Sequence, residues 1–240
     1  MKSSKSTFLN FKKKYPSFKN LYYFYNIYIR NYKFLKNGTQ FGEDEYILNL
    51  FDKNFKGNFL DIGCYHPTRH NNTYQMYKKG WSGINIDLNP LTIELFNFMR
   101  PKDINIGISD SNSEEKLYFI DELNTQNTLD ENQLNFLKDH HNIKDHEIIE
   151  KKIKTKNLDI ILDRYKFYNI DFMNLDIEGH ELKVLKTINF KKILIRYLCI
   201  EMIEHNKRSL ENNKEIKDLL DSNNYKLIKN FNYNYIYKKI

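Results

Sequence analysis

Acidic and turn-forming residues recur in this sequence at the ends of short apolar runs. Asp61 and Gly63 close the run at 58–63, Asp87 closes 83–87, Ser109 and Asp110 follow 103–108, and Asp176 with Glu178 ends 170–177. Desolvating a carboxylate is costly, so one at a strand end faces solvent or a ligand's hydroxyl and cationic groups. An acid that ends the second strand of an α/β domain can accept hydrogen bonds from both hydroxyls of a ribose, which marks Asp87 as a nucleoside reader. Its competing role is an N-cap ahead of Pro90.

Asp176, Glu178 and His180 are candidates for a general base that removes a proton from a hydroxyl, with His66 and His205 as further candidates. The competing roles are a loop-fixing carboxylate for Asp176 and surface or helix-start positions for His180, Glu181 and His205. A dinucleotide reader needs a turn such as G-x-G-x-x-G, yet Gly63 is followed by Cys64, Tyr65, His66 and Pro67. No G-x-x-x-x-G-K-[ST] phosphate loop occurs either. His140, His141 and His146 cluster in a polar segment without a zinc signature, so a solvated loop and no metal are expected there.

These residues need strands that end together. Residues 58–63, 83–87, 103–108, 170–177 and 197–201 read as strands, and helices are expected over 43–51, 73–79, from Pro90, from 157 or 159 to about 165, and over 181–187. Residues 117–120 and 147–153 are expected to pair around a polar excursion. Ser209 is expected to cap a helix through Leu220, and 225–238 to form a closing hairpin that turns around 232–234. Strands alternating with helices imply a mostly parallel sheet covered on both faces, with ligands bound beyond the strands' carboxyl ends.

The 240 residues, 40% of them hydrophobic, suffice for one large domain, and no Pro/Gly/Ser-rich linker divides them. Residues 1–39 read as a tyrosine-rich helical extension and 40–240 as the main domain. The apolar stretch from Phe18 to Leu35 is interrupted by Lys19, Arg30 and Lys33, so it is a poor membrane span. It reads as a helix packed on the domain, with contact to lipid headgroups or a partner as the alternative. Cys64 and Cys199 lie in or beside apolar strands, where reduced thiols behave as small hydrophobes. With no secretory signal evident, a cytoplasmic location is expected. The formal charge of +7 permits a nucleic-acid partner.

Several ordered blocks resemble one family. Asp61-Ile62-Gly63-Cys64-Tyr65-His66-Pro67, Asn72-Thr73-Tyr74, Gly80-Trp81-Ser82-Gly83, Asn85-Ile86-Asp87 and Asn89-Pro90 are similar to the cofactor half of FkbM-family methyltransferases. Downstream, Asp171-Phe172 and Asp176-Ile177-Glu178-Gly179-His180-Glu181 resemble its acidic fourth-strand motif. Gln40-Phe41-Gly42-Glu43-Asp44 resembles a stretch found ahead of its first strand. The resemblance runs from about Gln40 to His205. It implies a Rossmann-like seven-stranded sheet and S-adenosylmethionine lying across the first two strand ends. Asp61, Gly63 and Tyr65 would border its methionine side, Asp87 its ribose, and Ser109 with Asp110 its adenine, with His66, Asn89 and Asp176 counted among the cofactor-binding residues as well. Cys64, Tyr65 and His66 depart from the small residue and further glycine of many members. The expected activity is O-methylation of a hydroxyl on a sugar, glycan or small metabolite. The competing classes are a nucleic-acid-binding protein or nucleic-acid methyltransferase, and a cofactor-binding module without catalysis.

Overall fold

The computed structural model describes residues 18–36, 38–107, 113–119, 127–129, 131–141, 143–144, 148–155, 157–204 and 206–240. Ser109, Asp110, His146 and His205 lie outside the described residues, as do the side chains of His140 and His141.

A seven-stranded sheet organises the chain. In chain order its strands are β1 (Asn58–Ile62), β2 (Ser82–Asp87), β3 (Ile104–Gly107), β6 (Asn169–Leu175), β7 (Leu194–Glu201), β8 (Tyr225–Phe231) and β9 (Asn234–Lys239). Their spatial order is β3-β2-β1-β6-β7-β9-β8. The first five run parallel, and β9 lies antiparallel between β7 and β8 as the second arm of the closing hairpin. A separate two-stranded ribbon pairs β4 (Ser113–Phe119) with β5 (Ile149–Thr155).

The central strands are apolar on both faces, as parallel strands buried between two helical layers must be. On one face Leu60, Ile62, Ile84, Ile86, Met173 and Leu198 meet α6 (Leu158–Tyr165), α7 (Glu181–Leu185) and α8 (Lys207–Ser222). On the other, Phe59, Phe172, Tyr197 and Cys199 meet α2 (Glu43–Leu48), α3 (Tyr74–Lys78) and Trp81. Adjacent residues thus feed opposite layers, the period-two signature of a strand.

The N-terminal helix α1 (Phe18–Phe24) continues through a π-helical turn (Tyr25–Arg30) and a 3-10 turn (Tyr32–Leu35). Tyr23 and Ile27 pack on Leu91 and Leu95 of α4 (Pro90–Met99). Lys19 and Tyr23 both bond Glu94 of α4.

Two local expectations change. The cap of α8 is Asn206, whose side chain accepts from the Ser209 amide, while the Ser209 hydroxyl returns a bond to the Asn206 backbone. The signal at Ser209 was one turn late, because a capping box contains two polar residues and either one reads as a cap. The polar excursion between β4 and β5 holds helix α5 (Glu131–His141), so His140 and His141 end a helix instead of lying in a loop.

Candidate active site

Strand order reverses between β1 and β6, which opens a crevice at their carboxyl ends. Backbone bonds gather three strand ends there. The Gly63 amide donates to the Ile86 carbonyl at 2.9 Å, and the Asp176 amide donates to the Ile62 carbonyl at 3.1 Å. Gly63 has a φ of 78°, and a Cβ on it would lie 1.6 Å from the Asp176 carbonyl oxygen. Glycine is therefore required for both the turn and the close approach of the β1 and β6 ends.

Asp61 lies below this crevice, fully buried. Asn174 donates to one of its oxygens at 3.0 Å, and Asn71 and Thr73 donate to the other at 3.0 and 2.7 Å. Burial pushes its pKa up, against these bonds and the positive Arg100. Arg100, also fully buried, donates to the Thr73 hydroxyl at 2.9 Å and to the Asn71 side chain at 2.8 Å, and it also bonds the Pro67 carbonyl. Asp61 and Arg100 thus fix the 63–73 loop from beneath, through partners up to 113 residues away in sequence.

Asp87 stands at the rim. One oxygen accepts from the Tyr65 amide at 2.9 Å and the other from the Asn89 amide at 2.7 Å. The Leu88 amide bonds the carboxylate as well, and with two acceptor sites on each oxygen the group still keeps capacity for a ligand hydroxyl. The cap of α4 is Asn89, which accepts from the Leu91 amide at 3.0 Å, so Asp87 is not spent as the cap before Pro90. Burial raises the Asp87 pKa to about 6. Tyr65 takes a left-handed φ of 52°, and its carbonyl is held by Thr92.

His66 faces inward. Its Nδ1 accepts from the Thr68 and Arg69 amides at 3.2 and 3.1 Å, and Nε2 meets Asn31 at 3.4 Å. Burial, then the positive charge of Arg69, lowers its pKa to about 3. The imidazole is neutral across the ordinary pH range and shapes the loop.

The acidic groups beyond β6 are joined by one that the sequence reading passed over, Glu201 at the end of β7. Asp176 and Glu201 share a hydrogen bond. Burial raises Asp176 to about 7, helped by the negative charges of Glu181 and Asp61, and drives Glu201 well above the carboxylate range, helped by Asp176. A buried acid and a half-buried one this close hold a proton between them. Glu178 brings a third carboxylate, so that oxygens of Asp176, Glu178 and Glu201 lie within 4.8 Å of one another. An all-oxygen group of this kind suits either a shared proton or a hard cation.

Glu178 and Gly179 both have left-handed φ values. Their turn is closed by Glu181, which accepts from the Ile177 and Gly179 amides. His180 sits half-buried at the start of α7. Thr128, from the segment after β4, donates to the Glu178 carbonyl at 2.7 Å and brings that excursion against the site. Beside Glu201 a small crevice is lined by Gly179 and Glu181 and by Ser209, Asn212 and Asn213 of α8. Glu43, fully buried in α2, accepts from Asn234 of β9 at 2.6 Å, so the block before β1 closes the same end of the sheet.

The structure therefore brings Gly63, Tyr65, Asp87, Asn89, Asp176 and Glu178 to one end of the sheet, with His180 next to them and Asp61 and His66 under the loop. The one signal in the sequence for Glu201 was its place at the end of an apolar run, shared with Asp87 and Asp176.

Several solved structures are similar to this chain at low identity. A TehB-like SAM-dependent methyltransferase from Corynebacterium glutamicum is 13% identical, covers 94% of this chain and 100% of its own, and has a TM-score of 0.42. For the Methanococcus jannaschii fibrillarin pre-rRNA processing protein the values are 14%, 77%, 66% and 0.41. For the Burkholderia thailandensis 1,6-didemethyltoxoflavin-N1-methyltransferase they are 9%, 82%, 76% and 0.39. No curated protein gives a significant sequence match. Residues 61–227 match the family model described as the methyltransferase FkbM domain. Because that match takes in more than half of the chain, from Asp61 into β8, the chain belongs to the FkbM methyltransferase family and is an S-adenosylmethionine-dependent methyltransferase.

Proposed function

We propose that the enzyme methylates a hydroxyl oxygen on a sugar, glycan or small metabolite. The observation that carries this reading is the proton-sharing pair of Asp176 and Glu201 at the strand ends next to the Gly63 turn. S-adenosylmethionine supplies a methyl group on a sulfonium, open to in-line attack. The chain's own part is to hold the donor and to align the acceptor oxygen. Asp87 would accept from the ribose hydroxyls, while the Gly63 and Tyr65 turn leaves backbone room for the methionine end. An alcohol must lose its proton as its oxygen acquires the methyl group. Asp176, raised to about 7 beside Glu201, is well matched to take that proton at neutral pH. An amine or thiolate would have less need of such a base.

In this reading residues 40–240 are the catalytic domain and 1–39 an extension, of which Tyr23 and Ile27 pack on that domain. Among the described residues no helix is long and apolar enough to cross a membrane. The two buried free thiols fit a reducing, cytoplasmic setting. The test is transfer from methyl-labelled S-adenosylmethionine to panels of glycans, hydroxylated metabolites, amines and oligonucleotides. Label in an alkali-stable ether, lost on Asp176→Asn substitution while S-adenosylhomocysteine still binds, supports the reading. Label confined to amines or oligonucleotides overturns it.

A further inference from the structure

The positive charge of this chain is segregated. The first 42 residues hold nine Lys or Arg and no Asp or Glu, which leaves 29 basic and 31 acidic residues in the other 198. The excess of +7 therefore belongs to the N-terminal segment, and the catalytic domain is close to neutral.

The described part of that segment also carries an apolar face. Tyr23 and Ile27 turn inward onto α4, while Leu21, Tyr25, Ile29 and Tyr32 turn outward at spacings of three and four, with exposures of 61, 49, 53 and 70%. Four neighbouring large hydrophobics so exposed are unlike the scattered ones of an ordinary surface. Arg30, Lys33 and Lys36 flank them. Aliphatic and tyrosine side chains on one face with Lys and Arg around them are the composition of a helix that lies in a bilayer interface.

We propose that the segment from Phe18 to Lys36 docks this enzyme on an anionic lipid surface, with Leu21, Tyr25, Ile29 and Tyr32 entering the headgroup region. Charge complementarity selects this occupant. A second copy would bring nine more positive charges against the first nine. The face from Leu21 to Tyr32 is also only about 16 Å long and about 10 Å wide, well short of the roughly 800 Å² that each partner contributes to a stable interface. Leu21 and Ile29 have nothing to offer a phosphate backbone, whereas acyl chains take both. Asn31, buried on the opposite side of the same segment, touches His66 of the site loop, so the segment packs beside that loop while its apolar face stays outward.

The test is flotation of the full-length protein with vesicles of phosphatidylcholine alone and with added phosphatidylserine. Binding to the anionic vesicles only, weakened by salt, is expected. Lys12→Gln, Lys13→Gln and Lys14→Gln together should lower partitioning by about fivefold for each lysine that reaches the surface. The triple variant Leu21→Ser, Ile29→Ser, Tyr32→Ser should lower it by about tenfold or more without lowering the melting temperature, since all three side chains are exposed. The lysine variant keeps the test informative if the serine variant misfolds. Equal binding to both vesicle types, binding to neither, salt-sensitive binding to oligonucleotides in place of vesicles, or a dimer dissolved by the serine variant would each overturn the proposal.

Discussion

Replacing Gly63 with alanine tests the contact that joins the β1 and β6 ends. The new Cβ would sit 1.6 Å from the Asp176 carbonyl oxygen, whereas real Cβ contacts keep at least 3.0 Å. The two segments must therefore separate by more than an ångström. That movement loosens the Asp176 amide bond to Ile62 and the Gly63 amide bond to Ile86, worth about 1 kcal/mol each. Holding alanine at a φ of 78° adds about 1–2 kcal/mol. A total of about 3–4 kcal/mol in a chain of this size lowers the melting temperature by about 10 °C. Gly42 is the internal control, because it has a φ of 90° and nothing within 4 Å of its added Cβ. Gly42→Ala carries the strain without the clash and should cost only about 1–2 kcal/mol, or about 4 °C. Thermal unfolding of the two variants beside wild type separates the terms. Equal shifts for Gly63→Ala and Gly42→Ala would refute the close approach of β1 and β6.

Stability should depend on pH through the Asp176 and Glu201 pair. Both acids have folded pKa values above the ordinary carboxylate range. The folded state thus keeps protons that the unfolded state has released, and stability falls as pH rises from about 4 through about 7. Asp176→Asn should flatten the melting temperature across that window, and an unchanged slope would contradict the shared proton. Arg100→Met removes the buried guanidinium above Asp61 and should cost about 3–5 kcal/mol; a melting point within two or so degrees of wild type would show that the loop does not depend on it. Asn206→Ala should cost about 1 kcal/mol in thermal unfolding, and a larger loss from Ser209→Ala would return the cap to Ser209.

The sheet was readable because its strands are apolar runs bounded by glycine, proline and acids. Leu60 and Ile62 alternate with Phe59 and Asp61, and Pro90 marks the start of α4 within a residue of its cap. What each acid does was not readable. Asp61, Asp87 and Asp176 look alike in sequence, yet Asp61 is held on both oxygens by Asn71, Thr73 and Asn174, Asp87 keeps acceptor capacity at the rim, and Asp176 shares a proton. Those differences come from partners distant in the chain. The same holds for Glu201, whose significance depends on β7 lying beside β6. It holds again for Arg100, a basic residue after a helix until Asp61 and Thr73 are seen beneath it. Helix α5 was missed because its apolar residues, Leu134, Phe136 and Leu137, are few, and one turn of periodicity is a weak signal.

The central claim is that S-adenosylmethionine lies where β1, β2 and β6 end, with Asp87 on its ribose. Calorimetric titration of S-adenosylhomocysteine into wild type and Asp87→Ala tests it without knowledge of the acceptor. Two hydrogen bonds to a charged group are worth about 3 kcal/mol or more together, so the variant should bind on the order of a hundredfold more weakly. Wild-type affinity should strengthen as pH rises through about 6, where Asp87 ionises. Equal affinities for the two proteins, or no binding by wild type, would contradict the claim.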